Sequence, residues 1–156
     1  MAPGLEIDLA LFRVGKSTLG QTIHDGDCFA APLQSQDDAK DEKMGIEIGK
    51  KEGVLDYVFL TLPDFGGKLL KKGTPLEISQ GISEAGIQKI FGEPYWTDRS
   101  DGEVIMFYEY ERGTVELQFE FPDAQKLGHI LLARNGVLSG EEQRKAYKVD
   151  KPWPPQ

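Results

Sequence analysis

A single cysteine, Cys28, leaves the chain unable to form an internal disulfide, which fits a reducing compartment better than an oxidising one. Only two histidines are present, His24 and His129, and neither has a Cys or His neighbour at metal-ligand spacing. No apolar run approaches the roughly 20 residues that a membrane helix needs. Nor do the first residues show the charged, apolar and small-residue succession of a secretory leader. Positive charge is also short, with 18 Lys and Arg against 26 Asp and Glu, a formal net charge of −8. A surface of that sign repels phosphate backbones and anionic lipids and attracts basic proteins. The expectations are no nucleic acid, no membrane insertion, and the cytoplasm as compartment (the periplasm if an export signal has been trimmed).

What is present is 156 residues, 39% of them hydrophobic, enough for one compact domain or two small units. Early in the chain, "LEIDLALF" runs into "RVGKSTLGQ", and Gly15-Lys16-Ser17-Thr18 is how a nucleotide-binding loop begins. Such a loop also needs a glycine five residues before Gly15, where this chain has Ala10. A repeat supplies a better explanation. "VGKSTLGQTIHDGDCF" (14–29) aligns with "QGISEAGIQKIFGEPY" (80–95) at a constant offset of 66, matching Gly15 to Gly81, Ser17 to Ser83, Gly20 to Gly86 and Gly26 to Gly92. The lysine position becomes Ile82, so the shared feature is a turn followed by a serine able to cap a helix, not a phosphate cradle.

Further on, "EGVLDYVFLTLPD" (52–64) echoes "RGTVELQFEFPD" (112–123). The offset shrinks because the first copy carries a longer polar insert, "QSQDDAKDEK" (34–43), expected as a solvated loop. The fold class expected is α+β, with two tandem helix-plus-antiparallel-sheet units. The first spans 1–75, the second 76–140, and 141–156 is a C-terminal extension.

Helices are expected over 17–24 and 83–91, the second capped by Ser83 and stopped by Gly92-Glu93-Pro94. "TDRSDGE" (97–103) reads as a polar turn. "VIMFYEY" (104–110) and "TVELQFEF" (114–121) read as a hairpin, with Gly113 left-handed in a three-residue loop. That register pairs Tyr110 with Thr114 and Tyr108 with Glu116. Ile105, Phe107, Val115, Leu117, Phe119 and Phe121 then form a core face. Met106, Tyr108, Tyr110, Glu116, Gln118 and Glu120 form the opposite face. "GHILLAR" (128–134) is a third strand, and "GIEIG" with "VLDYVFLTL" forms the matching hairpin of the first half. In "KPWPPQ" the prolines forbid helix, leaving Trp153 to pack back on the body or hang loose.

The helix ending in Gly-x-Pro, the polar turn, the aromatic-rich hairpin and the further strand resemble the SmpA/OmlA outer-membrane lipoproteins and the β-lactamase inhibitor protein (BLIP-like) fold. About 40 residues carry the likeness, in "GISEAGIQKIFGEPYW" and "VIMFYEYERGTVELQFEF". It implies two helix-plus-sheet units in tandem and a habit of binding proteins with a sheet face. The lipoproteins' lipobox cysteine and the inhibitors' disulfides have no counterpart in this chain.

Catalytic sets are thin. Ser17, His24 and Asp25 lie close in sequence, but Ser and His seven apart on one helix do not give nucleophile–base–orienter geometry. Asp25-Gly26-Asp27 is too short for a calcium loop. Cys28 aligns with Pro94, a turn position. Glu116 and Glu120, four apart on one strand face, are the only carboxylate pair worth weighing for hydrolysis. The expectation is therefore a non-enzymatic protein-binding module without a cofactor, an immunity or inhibitor protein for a basic toxin or enzyme. Its candidate contact residues are Tyr95, Trp96, Tyr108, Tyr110, Glu116 and Glu120, since exposed tyrosines serve as interface anchors and acidic neighbours speed encounter. The alternative is an envelope-assembly or accessory domain of SmpA/OmlA type.

Overall fold

The computed structural model describes residues 4–155. The fold is α+β, and the chain divides into two compact units, Met1–Ser79 and Gln80–Gln156.

The first unit holds eight short strands: β1 (Glu6–Asp8), β2 (Arg13–Val14), β3 (Ser17–Thr18), β4 (Asp38–Asp41), β5 (Ile46–Lys51), β6 (Val54–Thr61), β7 (Lys68–Lys71) and β8 (Thr74–Pro75). Five of them form a sheet in the order β3-β2-β1-β7-β8, in which β1 and β7 run parallel. Strands β4, β5 and β6 form an antiparallel meander. Ile7, Leu9, Val14, Phe29, Leu33, Ile48 and Leu55 are buried in its interior.

Asp8 organises one end of this unit. Its carboxylate accepts from Ala10 N (3.0 Å), Leu11 N (2.9 Å), Lys72 N (3.0 Å) and Gly73 N (2.7 Å), tying the β1 exit to the β7–β8 turn. Burial pushes the Asp8 carboxyl up, but the backbone N–H donors together outweigh it and hold the group below the ordinary range.

The expected helix at 17–24 is absent, and among the described residues this unit has no α-helix, only a 3-10 turn at Pro32–Gln34. Ser17 and Thr18 lie in β3, and Gly20 sits at φ +81. The matched stretches 14–29 and 80–95 therefore do not share a conformation. The first lacks a free capping serine, because Ser17 Oγ donates to Asp27 Oδ2 and accepts from His24 N (2.9 Å). The supposed phosphate loop closes on the same carboxylate: Lys16 N donates to Asp27 Oδ1 (2.8 Å), and Gly15, at φ +61, leaves room for Asp27 where a Cβ would collide with it. Lys16 itself is exposed. The polar insert is also more ordered than a loop, since Asp38–Asp41 pairs with β5 as β4.

The second unit runs α1 (Glu84–Phe91), β9 (Trp96–Ser100), β10 (Glu103–Tyr110), β11 (Val115–Phe121), β12 (His129–Arg134) and α2 (Glu141–Ala146). Helix α1 starts as expected: Ser83 Oγ accepts from Gly86 N (3.0 Å), Glu84 sits in the first turn and Lys89 in the last. Gly92 at φ +80 ends it. The expected polar turn at 97–103 is instead mostly strand β9, leaving only Asp101-Gly102 to reverse the chain into β10. Strands β9 to β12 form an antiparallel meander.

The β10–β11 register differs from the expected one by one residue. Tyr110 pairs with Val115, Tyr108 with Leu117 and Glu109 with Glu116. The loop has four residues, because Glu111 (φ +50) and Arg112 (φ +58) take the left-handed region ahead of Gly113 (φ +84), and Thr114 Oγ1 donates to Glu111 O (2.8 Å). One face of the sheet now carries Val104, Met106, Tyr108, Leu117, Phe119 and Phe121, and α1 lies on it through Phe91, whose ring is 5.3 Å from that of Phe119. The other face carries Ile105 and Phe107, covered by Leu138, Tyr147, Val149 and Trp153. Tyr147, Val149 and Trp153 of the C-terminal extension thus pack, partly buried, against the second unit's core, and Trp153 packs back. Burial of both faces gives the register its physical reason: the slip puts Leu117 and Phe119 beneath α1 and still leaves Phe107 fully buried.

Candidate functional site

The six expected contact residues do not form one exposed surface. Tyr108 is 2% exposed, packs against Phe91 and Phe119, and donates its hydroxyl to Gly92 O (2.7 Å). Tyr110 stacks beside it at 6.5 Å and is half-buried. Glu116 faces the opposite way and is fully buried. It accepts from Val137 N and Leu138 N (both 3.0 Å) and from Gln118 Nε2 (2.5 Å), and Gly136 sits where a Cβ would strike it. Tyr108 and Glu116 are therefore structural, a correction to the expected binding face that follows from the register.

Glu120 lies across from His129 and is half-buried, its carboxyl pushed up by burial. Tyr95 and Trp96 do come together, but under the chain's own C-terminal residues. Tyr95 Oη donates to Pro152 O (2.9 Å) and Lys151 O (3.2 Å), and Trp96 Nε1 donates to Tyr147 O (3.2 Å).

The carboxylate pair is Glu109 with Glu116, not Glu116 with Glu120. Both Glu109 oxygens are buried without a hydrogen-bond partner, and Glu116 stands directly across the strand pair. Burial first, then the neighbouring Glu116 carboxylate, push Glu109 up to about 10. Both Glu109 oxygens lie out of reach of solvent, and Glu116 is committed to backbone donors, which suits a structural acid pair rather than a hydrolytic one. Among the described residues no group of His, Cys, Asp and Glu is placed to hold a metal ion, and no helix is long and apolar enough to cross a membrane.

The face that is half-open belongs to the first unit. On the β4–β5–β6 meander, Ile48, Val58 and Leu60 turn inward, while Glu47, Tyr57, Phe59 and Thr61 alternate outward and are half-buried. Tyr57 lies flat against Gly49, its cross-strand partner, where any Cβ would run into the ring. Its hydroxyl donates to Glu47 Oε2 (2.5 Å), and burial together with that carboxylate pushes the phenol far up. Phe59 pairs with Glu47, and beside it a groove of about 430 Å³ is lined by Lys40, Glu47, Phe59, Thr61 and Asp64. Aromatic area flanked by carboxylates can bury an aliphatic stem and pair its cationic head, as lysine and arginine side chains require. The signal for this face was the alternation in "DYVFLT" (56–61), overshadowed by the tyrosines of the second hairpin.

Compared with family models, curated proteins and solved structures, the chain matches none.

Proposed function

We propose that the chain is a non-enzymatic protein-binding module, an immunity or inhibitor protein that neutralises a basic toxin or enzyme in the cytoplasm. The observation that carries this reading is the half-buried Tyr57–Phe59 face, held against Glu47 and bordered by the groove. Two aromatic rings fixed on a rigid strand supply affinity at low entropic cost, and a net charge of −8 speeds encounter with a basic partner. The BLIP-like resemblance belongs to this reading through the stretches that carry it, 81–96 and 104–121. The same stretches carry the alternative reading, an envelope-assembly or accessory domain of SmpA/OmlA type. Affinity capture from source cells, with wild type and a Tyr57→Ser/Phe59→Ser variant side by side, tests the first. A basic protein held by wild type, released by the variant and weakened by salt is the expected result. A partner retained equally by the variant moves the interface elsewhere, and co-fractionation with envelope components favours the second reading.

A further inference from the structure

Trp153 does not merely cover the second unit; it fills a groove that other elements build. One wall is Tyr95, between α1 and β9, whose ring meets the indole edge-on at 5.7 Å. The floor is Gly113, where a Cβ would come within 2.6 Å of Trp153 Cζ2, so only glycine admits the indole at this depth. The roof is Arg144, with its guanidinium 4.8 Å from the indole ring centre. Arg144 is fixed independently of residues 151–155, because its Nη1 donates to Leu138 O (2.8 Å) and Ser139 O (3.1 Å). Tyr95 Oη then clasps the backbone carbonyls of Lys151 and Pro152, and the Lys151 ammonium lies 5.7 Å from the Tyr95 ring. Every contact named here goes to the indole, to the backbone or to one cation. Prolines at 152, 154 and 155 restrict the segment before it binds, lowering the entropy lost on docking.

We propose that the Tyr95–Gly113–Arg144 groove is a recognition site for a tryptophan bracketed by prolines. Residues 151–155 occupy it in cis, and a partner's segment of the same chemistry takes it when they lift away. The site lies in the second unit and stands whether or not the Tyr57–Phe59 face binds anything.

The test uses the peptide KPWPPQ as probe and three forms of the protein: the full chain, a chain ending at Val149, and full-length Trp153→Ala. Calorimetry should give binding at least ten-fold tighter to the shortened and Trp153→Ala forms than to the full chain. KPAPPQ should not bind, GPWPG should bind within ten-fold of KPWPPQ, and Tyr95→Phe in the shortened chain should weaken binding several-fold. In the full chain, the amides of Lys151 and Trp153 should exchange with deuterium far faster than those of β10 and β11. If the shortened chain does not fold, Trp153→Ala decides alone. Equal binding to all three forms, no binding to a variant that keeps its near-ultraviolet circular dichroism, or failure of GPWPG against successful KPWPPQ each overturns the proposal.

Discussion

Strands β6 and β10 are each eight residues long and each sits in a hairpin, yet they are buried in different ways. In β6 the residues from Tyr57 onward alternate between half-buried and buried, so one face is buried and the other half-buried. In β10 the run Val104-Ile105-Met106-Phe107-Tyr108 is buried at every position, under α1 on one side and Leu138, Tyr147 and Trp153 on the other. The lesson concerns pattern. A tyrosine in an alternating strand offers its ring outward, whereas a tyrosine ending a continuous apolar run is core.

The largest expected effect tests that contrast directly. Phe119→Ala empties a site packed by Phe91 and Tyr108 and should cost about 3–5 kcal/mol in urea unfolding. Phe59→Ala, on the half-open face, should cost roughly 1–2 kcal/mol. Equal costs would break the comparison.

Acid and alkali should then separate the units. Asp8→Asn in the first unit should lose about 2–3 kcal/mol at pH 7, because one neutral oxygen replaces a carboxylate accepting four N–H bonds. The folded Asp8 group lies below its ordinary 3.8, so its contribution is present above that pH and fades as acid titrates the folded form. Wild-type melting temperature should therefore fall below about pH 4, and the variant should show a shallower fall. Glu109 has the opposite sign. Its folded value of about 10 exceeds the ordinary 4.5, so its contribution is complete below 4.5 and drains away as pH rises towards 10. Glu109→Gln should be more stable than wild type at pH 7 by on the order of 1–3 kcal/mol, with the gain vanishing near pH 4. A Glu109→Gln chain less stable at neutral pH would overturn the raised folded value.

The smallest effect belongs to Lys16→Ala. The side chain is exposed, so the change should stay within about 0.5 kcal/mol, and calorimetry with nucleotides should show no binding before or after it.

Helix α1 was legible to within a residue because its signals are local: a serine cap, an acidic first turn, apolar spacing and a Gly-Glu-Pro stop. The strands β5, β6, β10, β11 and β12 were legible for the same reason. The β10–β11 register was not, because it turned on whether Thr114 belongs to the strand or the loop, and Arg112 takes a backbone region that counts against it. Stacking of Trp153 on Gly113 and the burial of both sheet faces are long-range facts that no local pattern around 110–115 carries. The slip relocated the expected site: Tyr108 and Glu116 went inside, and Glu109 acquired Glu116 as its neighbour. The false helix at 17–24 has a similar origin, since Ser17 looks like a cap until Asp27, ten residues on, claims its hydroxyl.

That claim by Asp27 has a consequence for how the Gly-Lys-Ser turn meets the cell's anions. A carboxylate tethered ten residues away competes at an effective concentration of roughly millimolar or more. It arrives already oriented on Lys16 N and Ser17 Oγ. A free phosphate would have to evict it, give up its own hydration and leave a buried carboxylate without donors, a cost of several kcal/mol. The turn is therefore an anion receptor with its ligand built in, its Lys16 N–H and Ser17 hydroxyl already held by Asp27.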